Sequence, residues 1–242
     1  MEEKSVLEHL SELRFRLLVI TIVFIGFFVV GFLASDHIMN RVNSDLFSPD
    51  VHLIVTHPLE YVLAKINIGI FFALLLSIPL LLYHMFAFMK PGLNERERKI
   101  AKLSIVSGSV LFVTGFLFSY FILLRVIIWF FSSLASSAGI ANLWSVNYFV
   151  NFVFLTCITM GVIFELPVIS LALVKAGIID AKSLSEKRGY AVILIFVVAA
   201  VITPPDPVTQ VLVALPMIIL FEISVLVARM SGRLPRQPAE QT

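Results

Sequence analysis

The chain has 242 residues, 59% of them hydrophobic and only 14% charged, with 22 phenylalanines and a formal net charge of +2. Soluble domains carry about 25% charged residues, so a water-soluble globule of this size could not hide this much apolar surface. Lipid must be the solvent for much of the chain, and basic residues that alternate between loops instead of forming one patch speak against a nucleic-acid partner.

The opening stretch "MEEKSVLEHLSELRFR" is acidic and amphipathic, and is not read as a cleaved signal peptide. Ser5 and Glu8 have capping-box spacing, while Val6, Leu10, Leu13 and Leu17 make an apolar stripe. Glu8, Glu12 and Arg16 share a face, and Glu12 precedes Arg16 in the favourable i,i+4 order. Such a pair contributes about 0.2–0.5 kcal/mol, so Glu12 stays available to another cation. Glu95 and Glu97, in "KPGLNERERK", are available in the same way.

Six membrane segments follow, at about 16–34, 62–88, 101–131, 148–174, 190–203 and 208–228. The predicted fold class is all-α: one polytopic integral membrane domain over 1–242, with an amphipathic cytoplasmic segment 1–15 and a cytoplasmic tail 229–242. The third segment, 31 residues, is about 46 Å long and must tilt or project beyond a ~30 Å hydrocarbon core. Segments five and six are the short ones. The fifth, 14 residues or about 21 Å, cannot span without local thinning.

Lys4, Arg14 and Arg16 precede the first segment, and Lys90, Arg96, Arg98, Lys99 and Lys102 lie between the second and third. Lys175, Lys182, Lys187 and Arg188 lie between the fourth and fifth; Arg229, Arg233 and Arg236 follow the sixth. The opposite loops hold Arg41 and almost nothing else. The positive-inside bias therefore predicts that both termini and the two basic loops are cytoplasmic.

Ser104, Gly108, Gly115 and Ser119 fall on one face of the third segment, a helix-packing stripe. Trp129, Trp144 and Tyr148 mark an outer aromatic belt. Cys157, the one cysteine, excludes an internal disulfide and reads as a small membrane-buried residue. The five histidines have no metal-ligand spacing, and neither a metal nor a cofactor is expected.

Glu165, in "MGVIFELPVIS", stands near the middle of the fourth segment. An ionised carboxylate at mid-membrane costs about 2.5–3.5 kcal/mol, which is lowered by protonation or by facing protein or water. Two readings are open: a neutral glutamate bonded to a neighbouring helix, or a polar point in a substrate path or docking groove. Pro167, two positions on, frees a carbonyl and kinks the helix. In "TPPDPVTQ", Asp206 before Pro207 suits an N-cap; with Thr203 and Gln210 beside it, the turn is either plain capping or a docking spot. Glu222 has Arg229 two turns along the same face, and screening by that arginine is a sufficient reading.

Taken together the chain resembles the TatC family, the multi-spanning receptor of the twin-arginine translocase. The resemblance is carried in order by "HLSELRFRL" (9–17), "HPLEYV" (57–62), "SIPLLLYHMFAFMKPGLNERER" (77–98), "FSY" (118–120), "GVIFELPV" (161–168), "ITPPDPVTQ" (202–210) and "ALPMIILFEI" (214–223). One departure is visible: Arg125 stands where the family pattern has a proline.

The resemblance implies a curved, glove-like six-helix bundle in the cytoplasmic (inner) membrane that takes part in Sec-independent export of folded proteins. Its implied partners are twin-arginine signal peptides, TatA- and TatB-type single-span proteins, further copies of the chain and the bilayer. The implied signal-peptide residues are Glu12, Arg14, Phe88, Pro91, Leu93 and Glu97. Glu165 matches the acid of the concave groove, and Thr203, Asp206 and Gln210 match the patch where a partner helix docks. Arginine suits such acids because its planar fork binds carboxylates bidentately.

Two rivals have their own signatures. A proton-coupled secondary transporter using Glu165 would show paired repeats with discontinuous helices, and no internal repeat is seen. An intramembrane enzyme would need a nucleophile elbow, an HExxH motif or an acid–base pair, and none is present. The chain is therefore not expected to be an enzyme.

Overall fold

The structure is a computed structural model and describes residues 6–47, 51–89, 95–175, 179–203 and 206–232. It is overwhelmingly helical. Five helical stretches are long and apolar enough to cross a membrane: Ser11–Leu33, Glu60–His84, Lys102–Ser137, Val146–Lys175 and Pro207–Met230. A sixth apolar helix, Arg188–Ile202, is shorter. The chain divides into two compact units, residues 1–93 with 116–159 and residues 94–115 with 160–242.

In the first unit, α1 (Val6–Leu33) is one unbroken helix, so the amphipathic opening from Val6 and the first apolar run share an axis. It packs antiparallel on α3 (Glu60–Met89). Lipid supplies no hydrophobic drive between helices, so close backbone approach must hold them. Gly31 and Gly69 allow it: a Cβ on Gly31 would stand 2.7 Å from Cβ of Phe72, and one on Gly69 3.0 Å from the Phe28 ring.

Between these helices lies α2 (Ser35–Leu46), which buries Val42 and Leu46. Lys65 Nζ and Tyr61 OH donate to the Asp36 carboxylate at 2.8 and 2.6 Å. The Lys65 bond and then the Tyr61 bond hold the Asp36 carboxyl below the usual carboxylate range. A strand, β1 (Val51–Ile54), pairs in parallel with β2 (Asn142–Ser145), Val51 opposite Asn142. Both strands fall between the hydropathic segments, where the pattern predicts loops.

The third membrane stretch is irregular. α4 (Glu95–Phe118) gives way to a π turn at Ser119–Leu123, and α5 (Leu124–Ser137) continues it. Tyr120, inside the π turn, donates to Asp45 of α2 at 2.9 Å, and Arg125, one turn on, sits over the Phe121 ring at 5.8 Å. α6 (Val146–Phe164) contributes its residues up to 159 to this unit and its last turn to the second. Trp144, Phe47, Phe131 and Phe149 form an aromatic cluster beside the strands. Trp129 and Tyr148 are exposed, and Cys157 is a buried free thiol.

In the second unit, α7 (Leu166–Lys175), α8 (Ala181–Glu186), α9 (Arg188–Ile202) and α10 (Pro207–Gly232) assemble with the first part of α4. α10 packs on α7, α8 and α9. It starts at Pro207, where a missing N–H costs nothing, and its 26 residues extend past the 208–228 read from hydropathy.

Candidate functional site

Glu12 lies on α1, where its Oε1 accepts from Arg16 Nε and Nη2 at 3.2 and 2.6 Å. Both side chains are about one-fifth exposed, so the predicted i,i+4 pair exists and is partly shielded. Arg16 Nη1 also stands 3.5 Å from His84 Nδ1 on α3. Glu12 is one turn before Arg16 and Phe88 one turn after His84, and the helices are antiparallel. Glu12 and Phe88 therefore occupy the same end of the α1–α3 pair. Arg14 is exposed at that end. Pro91 and Leu93 lie outside the described residues, as does Ser5 of the proposed capping box. Glu97 falls in the first turn of α4, and its side chain is outside the described set.

The fourth membrane stretch breaks at Glu165. α6 ends at Phe164 and α7 begins at Leu166. The N–H of Glu165 turns to Val162 O at 3.1 Å, and Glu165 O accepts from Val168 and Ile169. Pro167 explains the break, because it brings no N–H to the helical ladder. Glu165 is only 7% exposed, and its Oε1 has no hydrogen-bond partner among the described residues. Its carboxylate fills the space a β-carbon on Gly108 of α4 would need. The small-residue stripe thus performs two tasks: Gly115 approaches Phe164 and the Met160 carbonyl, and Gly108 makes room for the acid.

At the α9–α10 turn, Asp206 caps α10, accepting from the N–H groups of Val208 and Thr209 at 2.9 and 3.1 Å and from the Thr209 hydroxyl. Burial alone would raise its carboxyl, but these bonds outweigh that and hold it below the usual range. Thr203 is buried, its hydroxyl donating to Ala199 O at 2.9 Å. Gln210 Nε2 donates to Phe196 O of α9 at 3.0 Å while the side chain stays half-buried. Thr203 thus faces inward, and of the three only Asp206 and Gln210 reach the surface. Glu222 pairs with Arg188 of α9 at 2.9 Å, so its partner is a residue across the hairpin and not Arg229.

Sequence reasoning passed over a second buried acid. Glu60, 1% exposed at the start of α3, accepts from Thr56 N and Oγ1 at 2.5 and 2.6 Å, from Ser145 Oγ and from Asn147 N at 3.2 Å. A polar chain runs on from there: Asn67 Nδ2 donates to Asn147 Oδ1 at 2.9 Å, and Asn151 Nδ2 donates to Asn147 O at 2.9 Å. Asn67 and Asn151 inside apolar segments, with Asn147 at the edge of the fourth, were the available signal. Among the described residues no group of His, Cys, Asp and Glu could hold a metal ion.

Comparison with known proteins agrees in sequence and in fold. The family model described as Sec-independent protein translocase protein (TatC) matches residues 8–216. The TatC protein of Helicobacter pylori (strain J99) is 35% identical over 94% of this chain and 90% of its own length. That of Aquifex aeolicus is 32% identical over 95% of this chain and 97% of its own. A crystal structure of the twin-arginine translocase receptor TatC superimposes with a TM-score of 0.84 at 31% identity, covering 93% of this chain and 100% of that one.

Proposed function

The chain belongs to the TatC family of Sec-independent protein translocase proteins, and from that premise we propose that it is the receptor for twin-arginine signal peptides. In this reading it sits in the cytoplasmic membrane with both termini cytoplasmic and recruits TatA- or TatB-type single-span partners. The family match along residues 8–216 carries the reading.

The chemistry at Glu12 supports it. That carboxylate already engages a guanidinium, that of Arg16, through two nitrogens. An arginine from a signal peptide can take the same place by exchange, since the internal i,i+4 pair contributes only about 0.2–0.5 kcal/mol. Glu97 is the second acid of the reading, and Arg14, Phe88, Pro91 and Leu93 are its further signal-peptide residues.

Glu165 is the polar point within the membrane that the hydrophobic part of a bound peptide or a partner helix meets. Its unpartnered Oε1 favours a donor arriving from such a segment. Asp206 and Gln210, with Thr203 supporting the turn from inside, form the docking patch for a partner's single helix. The transporter reading is not favoured, because relatives matched over nearly their full length are translocase components.

Photocrosslinkers placed at 12 and 97 test the proposal. Both should capture a twin-arginine signal peptide in membranes, and neither should capture the same peptide with both arginines replaced by glutamine. Equal capture of the two peptides would sink the reading.

A further inference from the structure

The α9–α10 hairpin is uneven. Gln210 meets the Phe196 carbonyl near one end, and Arg188 meets Glu222 near the other, so the two helices run antiparallel. α9 starts at Arg188, yet α10 continues past Glu222 to Gly232, ten residues or about 15 Å further. α9 itself, 15 residues, is about 22 Å long, less than a ~30 Å hydrocarbon core. Its first residue therefore stops well short of the level that α10 reaches. The hairpin has a step in it.

Cations gather at that step. Arg188 is paired with Glu222, but the two side chains remain 45% and 47% exposed. α8, which packs on both α9 and α10, brings Lys182, paired with Glu186 at 3.7 Å, and is followed by the exposed Lys187. Arg229 is exposed two turns beyond Glu222 on the same face of α10. Four cations thus meet two carboxylates, and neither Lys187 nor Arg229 pairs with a carboxylate among the described residues.

Beside the step, α9 presents a continuous exposed stripe: Tyr190, Ile193, Leu194, Val197 and Val201, between 55% and 78% exposed. Their spacing of three and four puts them on one helical face. An aliphatic stripe crowned by a tyrosine and ending at unpaired cations has the polarity of a phospholipid, acyl chains first and phosphate last.

We propose that this step is a binding site for an anionic phospholipid, whose phosphate lies between Lys187 and Arg229 beside the Arg188–Glu222 pair and whose acyl chains cover the Tyr190–Val201 stripe. Free phosphate would use only the cations. The stripe selects a lipid, and the shortness of α9 draws the headgroup into the step. The proposal stands independently of the signal-peptide reading, since none of its residues belongs to that site.

Native mass spectrometry of the full-length protein, with phosphatidylglycerol and phosphatidylcholine of matched acyl chains, tests it. Wild type should retain phosphatidylglycerol at least about fivefold more strongly, a ratio that one basic contact provides. The K187Q/R229Q double variant, which leaves Arg188–Glu222 untouched, should lose that preference, while R41Q keeps it. Soluble glycerol phosphate should fail to displace the lipid. Equal retention of the two lipids by wild type overturns the proposal without recourse to any variant, and so does full retention by the double variant. Displacement by glycerol phosphate reduces the site to a simple phosphate patch and equally overturns it.

Discussion

The carboxylate of Glu165 occupies the space that a β-carbon on Gly108 would require. One residue is the acid at the break in the fourth membrane stretch; the other is a point in the third where the backbone has no side chain to place. Gly108→Ala should therefore overpack the contact and destabilise the protein by about 1–3 kcal/mol. Truncating the acid in G108A/E165A should return part of that loss, whereas G108A/E165Q, which keeps the shape, should not. Thermal unfolding of wild type, G108A, E165A and the two double variants in detergent gives the coupling, and additive shifts would mean that the two residues do not share this space.

Glu165 also has a charge-dependent prediction. Glu165→Gln keeps shape and polarity and should export a twin-arginine reporter better than Glu165→Ala. Glu165→Lys should be the most damaging, because a cation at that depth carries an insertion cost of about 2.5–3.5 kcal/mol with no acid assigned to receive it. Reporter export measured against the amount of inserted protein separates function from assembly. Normal export by the lysine variant would leave Glu165 a structural acid only.

Glu60 ties the start of α3 to the start of α6 through Ser145 and Asn147. Replacing it with Ala strands several donors, and a buried group left without its partner is costly. Glu60→Ala should lower the unfolding temperature far more than Arg41→Ala, which removes an ion pair whose arginine is 78% exposed. Glu60→Gln should fall between the two, because an amide still accepts through one oxygen. Similar unfolding temperatures for Glu60→Ala and Arg41→Ala would show that the clamp carries little stability.

For the acids of the proposed signal-peptide site, Glu97→Ala should weaken twin-arginine peptide binding about tenfold, since a charge-assisted hydrogen bond in a partly dry groove is worth about 1.5–3 kcal/mol. Glu97→Lys should weaken it further. A peptide whose arginines are both glutamine should bind wild type and Glu97→Ala alike, a comparison that fluorescence anisotropy can make. If both peptides lose the same factor, Glu97 shapes the loop and does not read the arginines.

The orientation is open to direct labelling. Cys157 is buried, so single cysteines introduced at the exposed Ser44, Ser137 and Glu186 report against a quiet background. Impermeant maleimide added to intact cells should modify positions 44 and 137 and spare 186 until the membrane is opened. Labelling of 186 from outside would invert the topology.

Hydropathy alone marked the apolar segments, including the brevity of the fifth, because transfer into lipid is decided residue by residue over a local window. Local chemistry was equally readable: the Glu12–Arg16 pair, the Asp206 cap and the break near Pro167 each depend on neighbours within a turn or two. What the sequence could not supply were partnerships set by which helices lie side by side. Glu60 finds Ser145 85 residues away, Tyr120 finds Asp45 75 away, and Glu222 chooses Arg188 over the arginine on its own helix. Thr203, polar and beside a turn, turns inward because its hydroxyl is satisfied by the α9 backbone. Periodicity states which residues must avoid lipid; only the packed chain decides which neighbour each buried polar group meets, because that choice depends on distances along no single helix.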